Sequence, residues 1–160
     1  PSELSGYEYA IFSPGSPGSL KKHMAEFRSN NKKATVIFDP GQVSPFFTEE
    51  DFRFCMEKAD ILIGNDIEFQ HFDKYVSGNF PESIRLIETL GERGVRLRDK
   101  GQEILFPAQK AKHVVETTGA GDAFRGGLIS VLAQGGNLQD AIKKGMTFGA
   151  QSVGYPSGQF

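Results

Sequence analysis

In this 160-residue chain, the residues whose types and spacing most directly suggest chemistry are a run of small residues followed by an acid. Residues 114–128 read V-V-E-T-T-G-A-G-D-A-F-R-G-G-L, so Gly119, Ala120 and Gly121 precede Asp122. Backbone N–H groups of small residues at a helix start, together with the positive end of the helix dipole, bind anions. Asp122 is there either because the dipole favours a first-turn acid by ~0.3–1 kcal/mol, or as a general base beside a phosphoryl group.

Two other polar clusters follow apolar runs that are typical of buried strands. Asn65 and Glu68 come directly after D-I-L-I-G at residues 60–64, and Asp39 begins D-P-G-Q after A-T-V-I-F at residues 34–38. A helix cap explains Asn65 and Glu68, but an amide and a carboxylate also suit Mg²⁺, which keeps much of its water. Asp39 is either a turn residue before proline or a pocket residue at the carboxyl end of a strand.

The motif T-T-G-A-G-D-A-F at residues 117–124, followed by small residues, resembles the C-terminal signature of the ribokinase-like (PfkB-type) carbohydrate and nucleoside kinases. This resemblance implies that Asp122 is the catalytic base and that the amides of Gly119, Ala120 and Gly121 form the anion hole. It also implies that the N-x-x-E motif of Asn65 and Glu68 organises water around Mg²⁺ and the transferred phosphate.

The same resemblance extends to the nucleotide. The segment T-L-G-E-R-G at residues 89–94 resembles the family's T-x-G-x-x-G loop, which implies that Thr89, Gly91 and Gly94 lie along the phosphates of ATP. Without that context, a plain strand–turn–strand explains the segment. By alignment with the family, Met146 falls where a helix meets the adenine, and a core methionine is the alternative.

A monovalent cation site is a further implication of the resemblance. Glu116 stands where the family usually has an aspartate that helps to hold such a cation behind the anion hole. Glutamate keeps the charge but adds a methylene, so activation by K⁺ is left open. Ser152 and Ser157 fall near the same cation loop.

Strand and helix patterns alternate along the chain and must position these residues. Apolar runs at residues 8–13, 34–38, 60–64 and 84–89 alternate with helical patterns, which predicts an α/β fold with a mostly parallel sheet covered on both faces. The valines at 114–115 predict the end of another strand, and residues 95–107 predict a hairpin. Gly126 and Gly127 cost a helix roughly 1 kcal/mol each, which indicates close packing.

The resemblance implies a three-layer ribokinase-like sandwich whose N-terminal part and lid are absent from these residues. We expect residues 1–160 to form a single α/β domain, the C-terminal portion of such a kinase. A net charge of −2 gives no general reason to bind nucleic acid or an anionic membrane. The single Cys55 excludes an internal disulfide and favours a reducing compartment, the cytoplasm. A homodimer stays an open alternative.

The resulting hypothesis is transfer of the γ-phosphate of ATP, with Mg²⁺, to a hydroxymethyl group of a nucleoside or sugar. D-P-G-Q and G-D-A-F-R-G-G-L resemble the bacterial adenosine kinases more than ribokinase proper. A sugar kinase of fructokinase or ribokinase type is one alternative, and a catalytically incomplete nucleotide-binding fragment is another. A dinucleotide-binding oxidoreductase is disfavoured, because glycines 119, 121 and 126 miss the G-x-G-x-x-G spacing.

Overall fold

The computed structural model describes residues 5–109, 111 and 113–156. Contacts within the chain group these residues into two compact units. The first unit contains the described residues up to Leu90 together with Arg96–Ile104, and the second contains Gly91–Val95 together with the described residues from Leu105 onward. That the chain is a single domain stays a prediction.

Six strands of the described residues form one sheet whose spatial order follows the chain: β1 Tyr9–Phe12, β2 Thr35–Phe38, β3 Ile61–Asn65, β4 Arg85–Thr89, β5 Val95–Asp99 and β6 Gln102–Phe106. The pairs β1–β2, β2–β3 and β3–β4 are parallel. Lys100 and Gly101, with φ values of 49° and 75°, connect β5 to β6. Such a two-residue turn with two positive φ angles joins antiparallel strands, which confirms the predicted hairpin.

The structure describes five α-helices: α1 Pro17–Asn30, α2 Glu49–Lys58, α3 Asp66–Val76, α4 Ala120–Leu132 and α5 Leu138–Ser152. Short 3-10 segments span Gly41–Phe46 and Gly91–Arg93. Polar side chains cap four of the five described helices, among them α3, which Asn65 caps. The Ser16, Thr48 and Asn137 side chains accept from the backbone N–H of Ser19, Asp51 and Asp140, at the starts of α1, α2 and α5.

The first four strands are parallel and sequential, so right-handed crossovers place α1, α2 and α3 on the same face of the sheet. That face carries the core, in which Phe38 on β2 packs with Phe52 on α2, and Phe52 stacks on Phe72 of α3 with ring centroids 5.1 Å apart. On the opposite face Ile37, Ile61, Ile63 and Ile87 are buried as well. The predicted mostly parallel sheet, buried on both faces, is therefore confirmed.

In the second unit, α4 and α5 cross at two glycines. A Cβ on Gly127 would lie 2.8 Å from the Gly145 Cα, and a Cβ on Gly145 would lie 2.7 Å from the Phe124 carbonyl oxygen. A Cβ on Gly126 would meet no atom of the described residues within 4 Å. The close packing expected of the glycine pair is confirmed for Gly127 and wrong for Gly126.

The strand expected to end at residues 114–115 is absent from the described part of the chain. Residues 113–117 adopt irregular backbone, and Val114 and Val115 are exposed. β-branched residues favour strands only where a sheet offers them a partner. Here the Val115 N–H donates instead to the carbonyl of Val153, at 2.7 Å, just after α5.

Candidate functional site

Asn65 ends β3 and begins α3, where it forms a reciprocal capping box with Glu68. The Asn65 side chain accepts from the Glu68 N–H, and Glu68 Oε2 accepts from the Asn65 N–H, each at 2.8 Å. The N-x-x-E motif therefore forms the helix cap that is its structural explanation. The box also holds both side chains at the carboxyl edge of the parallel strands.

Thr89 lies beside this motif because β3 and β4 are in parallel register, with Asn65 opposite Thr89. The Thr89 hydroxyl donates to the Gly64 carbonyl at 3.4 Å. Two of the predicted site segments, one after each strand, thus begin at the same edge of the sheet. In open α/β sheets this carboxyl edge is where ligands gather.

Gly64 is a residue of this edge that the sequence analysis missed. A Cβ there would lie 2.6 Å from the Phe72 ring and 3.2 Å from Glu68 Oε2. The glycine therefore leaves the space into which the Glu68 carboxylate folds back to reach the Asn65 N–H. The signal in the sequence was a glycine that interrupts an apolar strand directly before N-x-x-E.

Asp39 follows β2 at the same edge and is buried. Its N–H donates to the Phe12 carbonyl at 2.9 Å. The 3-10 segment that follows, Gly41–Phe46, is hydrogen-bonded to α3 through Ser44. The Ser44 hydroxyl is 3.2 Å from His71 Nδ1, and its carbonyl accepts from the Tyr75 hydroxyl at 2.8 Å. Burial raises the pKa of this Tyr75 hydroxyl.

Gly91 and Gly94 belong to the second unit, and both have positive φ angles, 58° and 102°. A Cβ on Gly94 would lie 1.9 Å from the Phe106 carbonyl oxygen, so the backbone there approaches the end of β6 too closely for any side chain. The structure thus supplies a packing reason for this glycine. A role along ATP phosphates stays a prediction for Thr89, Gly91 and Gly94.

The start of α4 is arranged as an uncapped helix end. Gly119 occupies the N-cap position with φ 83°, and none of the described side chains caps the helix. The Ala120 N–H donates to the Thr117 carbonyl at 3.2 Å, so one of the three predicted anion-hole amides already has an acceptor. Asp122 lies in the first turn, where its side chain is 80% exposed and forms an ion pair with Arg125.

Glu116 and the end of α5 are brought together by backbone hydrogen bonds. The N–H of Glu116 donates to the Val153 carbonyl at 3.2 Å, the same carbonyl that Val115 uses. Ser152 is fully buried, and its hydroxyl donates to the Gly149 carbonyl at 2.9 Å. Ser157 lies outside the described residues. Met146 is buried on α5, and its contact with adenine stays a prediction.

No cluster of three or more His, Cys, Asp or Glu side chains in the described ranges could hold a metal ion directly. The Asn65 amide and the Glu68 carboxylate offer oxygen donors that the capping box partly engages. That set fits Mg²⁺ held through water rather than through direct protein ligands. None of the described helices is long and apolar enough to cross a membrane.

The sequence pattern of the pfkB family of carbohydrate kinases matches residues 2–160. The chain belongs to this family. A nucleoside kinase of Thermoplasma acidophilum is 32% identical over 143 residues, which cover 89% of this pfkB-family chain and 45% of the relative. A deoxyribokinase of Salmonella typhi is 40% identical over 130 residues, which cover 74% of this chain and 41% of the relative.

Among solved structures, the pfkB-family chain is similar to the nucleoside kinase of Burkholderia thailandensis in complex with inosine. The TM-score is 0.90 at 28% identity, covering 99% of this chain and 53% of that one. The same enzyme is also solved in complex with ADP-inosine, with a TM-score of 0.89 at 28% identity, covering 99% of this chain and 50% of that one. The pfkB-family chain thus spans about half the length of the proteins it matches.

Proposed function

We propose that this chain carries the catalytic base of an ATP-dependent kinase that phosphorylates a hydroxymethyl group of a nucleoside. The observation that carries the proposal is Asp122 in the first turn of α4, at a helix end that starts with glycine and that no side chain in the described part of the protein caps. Family membership supplies the reaction class. The nucleoside kinases among the relatives favour a nucleoside as the acceptor.

In the proposed reaction Asp122 accepts the proton of the acceptor hydroxyl. The acceptor oxygen then bonds to the γ-phosphorus, and the bond from that phosphorus to the β–γ bridging oxygen breaks and leaves ADP. Helix-start amides of Gly119, Ala120 and Gly121 stabilise the charge on the phosphoryl oxygens, as preorganised donors do in other enzymes. The Ala120 amide has to exchange its Thr117 acceptor to take part.

The nucleotide side of the proposal uses the remaining predicted residues. Thr89, Gly91 and Gly94 lie along the phosphates, and Met146 contacts the adenine. Asn65 and Glu68 hold Mg²⁺ through water, where the ion neutralises phosphate charge. Two points support these assignments: the two motifs resemble those of the family, and Asn65 and Thr89 lie at the same edge of the sheet.

The proposal also includes a monovalent cation such as K⁺, which Glu116 and Ser152 help to hold. Its support is that the Glu116 N–H bonds the carbonyl directly after Ser152. We also place the protein in the cytoplasm, without nucleic-acid or membrane partners, on the strength of its net charge and its single cysteine. A homodimer stays an alternative that sedimentation of the full-length protein decides.

Replacing Asp122 by Asn in the full-length protein tests the proposal. We expect kcat to fall by at least about a hundredfold, because general-base catalysis contributes ~10²–10⁴ in rate. The melting temperature should hardly change, because the side chain is exposed. Release of ADP in the presence of nucleoside measures the rate.

Asp140→Asn is the matched control, because Asp140 is likewise exposed in the first turn of a helix and pairs with Lys143 three residues on. Its kcat should equal that of the wild type. A kcat for Asp122→Asn within a few-fold of the wild type would remove the role assigned to Asp122.

A sugar is the second candidate acceptor. The deoxyribokinase of Salmonella typhi, at 40% identity, has the highest identity among the relatives described above and favours this reading. A sugar also offers a hydroxymethyl group, so the same base chemistry applies. The choice between the two acceptor classes rests on a direct comparison of substrates.

A further inference from the structure

The first turn of α4 presents two opposite charges next to each other. Arg125, one turn after Asp122, forms an ion pair with it, and the Arg125 side chain is only 18% exposed. The ideal Cβ position of Gly121 is 3.8 Å from Arg125 Nη1, so the guanidinium lies over the glycine of the first turn. Arg125 was part of the sequence motif but received no role there.

A carboxylate at a helix start opposes the binding of an anion. The helix contributes roughly +0.5 elementary charge there, and a carboxylate reverses the sign to about −0.5. A guanidinium beside the carboxylate returns the sum to about +0.5. The Asp122–Arg125 pair thus allows a base and a phosphate group to occupy one helix end.

We propose that Arg125 is a positioning residue that holds the Asp122 carboxylate in place and offsets its charge toward the nucleotide phosphates. This inference rests on the proposed role of Asp122 as the base. The planar guanidinium has donors in a fixed fork, so it orients a carboxylate in a way that the point charge of a lysine does not. Orientation and charge compensation are therefore separable by substitution.

The test compares Arg125→Gln, Arg125→Lys, Asp122→Asn and the double variant Asp122→Asn/Arg125→Gln in the full-length protein. ADP affinity by titration calorimetry is the first readout. We expect Arg125→Gln to weaken ADP binding roughly tenfold, because the charge of the Asp122 carboxylate then faces the phosphates without compensation. Asp122→Asn should strengthen ADP binding, and the double variant should return to within about twofold of the wild type.

The second readout separates orientation from charge. Arg125→Lys should keep the KM for ATP near the wild-type value while kcat falls roughly tenfold, because the charge remains and the fork is lost. Raising the salt concentration should shrink the ADP effect of Arg125→Gln, since exposed charges are screened. Lys143→Gln, which breaks the corresponding pair in α5, is the control and should leave both readouts unchanged.

A purely structural role for Arg125 predicts a different pattern. In that case Arg125→Gln and the double variant bind ADP equally weakly, and the inference is overturned. It is also overturned if both Arg125 variants match the wild type while Asp122→Asn loses turnover, which leaves the proposed function intact. If the wild type neither turns over nor binds ADP, the proposed function fails and this inference fails with it. Should Arg125→Gln not fold, the affinity of Asp122→Asn and the kcat of Arg125→Lys still decide.

Discussion

Asn65 and Glu68 show how one pair of side chains can serve both folding and chemistry. Each uses one oxygen in the capping box, at 2.8 Å from the N–H of the other residue. The sequence motif could be explained by a cap or by a metal function, and the structure realises the cap. The two explanations are compatible, because a cap also fixes the direction in which the side chains point.

Two substitutions at Glu68 separate these roles. Glutamine can replace glutamate in a capping box, so Glu68→Gln should melt close to the wild type while its activity needs more Mg²⁺. Glu68→Ala should lose the Mg²⁺ response and also ~0.3–1.5 kcal/mol of stability. Thermal melts and Mg²⁺ titrations of activity measure the two effects. A Glu68→Gln variant with the wild-type Mg²⁺ requirement would remove Glu68 from the metal site.

Cys55 is a buried residue whose burial changes the pKa of its thiol. Burial on α2, with a smaller contribution from the charge of Asp51, raises the pKa of the thiol from 9.0 to about 12. The folded thiol therefore keeps its proton while the unfolded thiol loses it above pH 9. Since the unfolded state then binds fewer protons, stability falls as pH rises from about 9 to 12.

We expect Cys55→Ala to remove this part of the pH dependence. The wild type should lose up to about 1.4 kcal/mol per pH unit more than the variant above pH 9. Urea unfolding at pH 8 gives the cost of the small cavity, and the same measurement at pH 10.5 gives the difference. Equal losses in the two proteins would show that the thiol is not protected in the fold.

At the scale of elements, α4 and α5 pack through glycines that only the structure can tell apart. The chain has two adjacent glycines in α4, yet only Gly127 touches α5, because a helix turns its neighbouring positions by about 100°. The first four strands and the hairpin followed from local apolar runs and turn residues. Which glycine packs, and that residues 114–115 find no strand partner, depend on tertiary contacts that no local pattern contains.

Gly127→Ala and Gly126→Ala form a matched pair. A methyl group on Gly127 would press on the backbone of Gly145, so we expect a loss of about 1–3 kcal/mol, the usual cost of overpacking. On Gly126 the methyl group meets open space, so this variant should gain roughly 0.5–1 kcal/mol of helix stability. Urea unfolding measures both, and a stable Gly127→Ala variant would contradict the close crossing.

At the scale of the whole molecule, the sheet order explains which helices share a face. Sequential parallel strands with right-handed crossovers put α1, α2 and α3 together, as the shared core of Met24, Phe52 and Phe72 shows. The apolar runs of the sequence predict the parallel sheet. They do not predict the strand order, because several orders satisfy the same alternation of strands and helices.

The acceptor is a property of the full-length protein, and we expect nucleosides to be preferred over fructose and ribose. The difference in kcat/KM should be at least about a hundredfold, since a site built to hydrogen-bond a base discriminates strongly against a ligand without one. A panel of adenosine, other nucleosides, fructose and ribose, assayed in K⁺ and in choline salts, measures acceptor choice and cation dependence together. Higher kcat/KM for a sugar would establish the second candidate, and equal rates in both salts would remove the cation from Glu116 and Ser152.

Asn65 and Thr89 stand opposite each other on one rung of the parallel ladder, although a helix and a loop separate them along the chain. Insertions in the surface loop between α3 and β4 would leave that rung intact. A deletion of one residue inside β4 would turn Thr89 to the other side of the sheet, because side chains alternate along a strand. A change in the length of the loop is therefore tolerated, whereas a change in the length of β4 moves Thr89 away from Asn65.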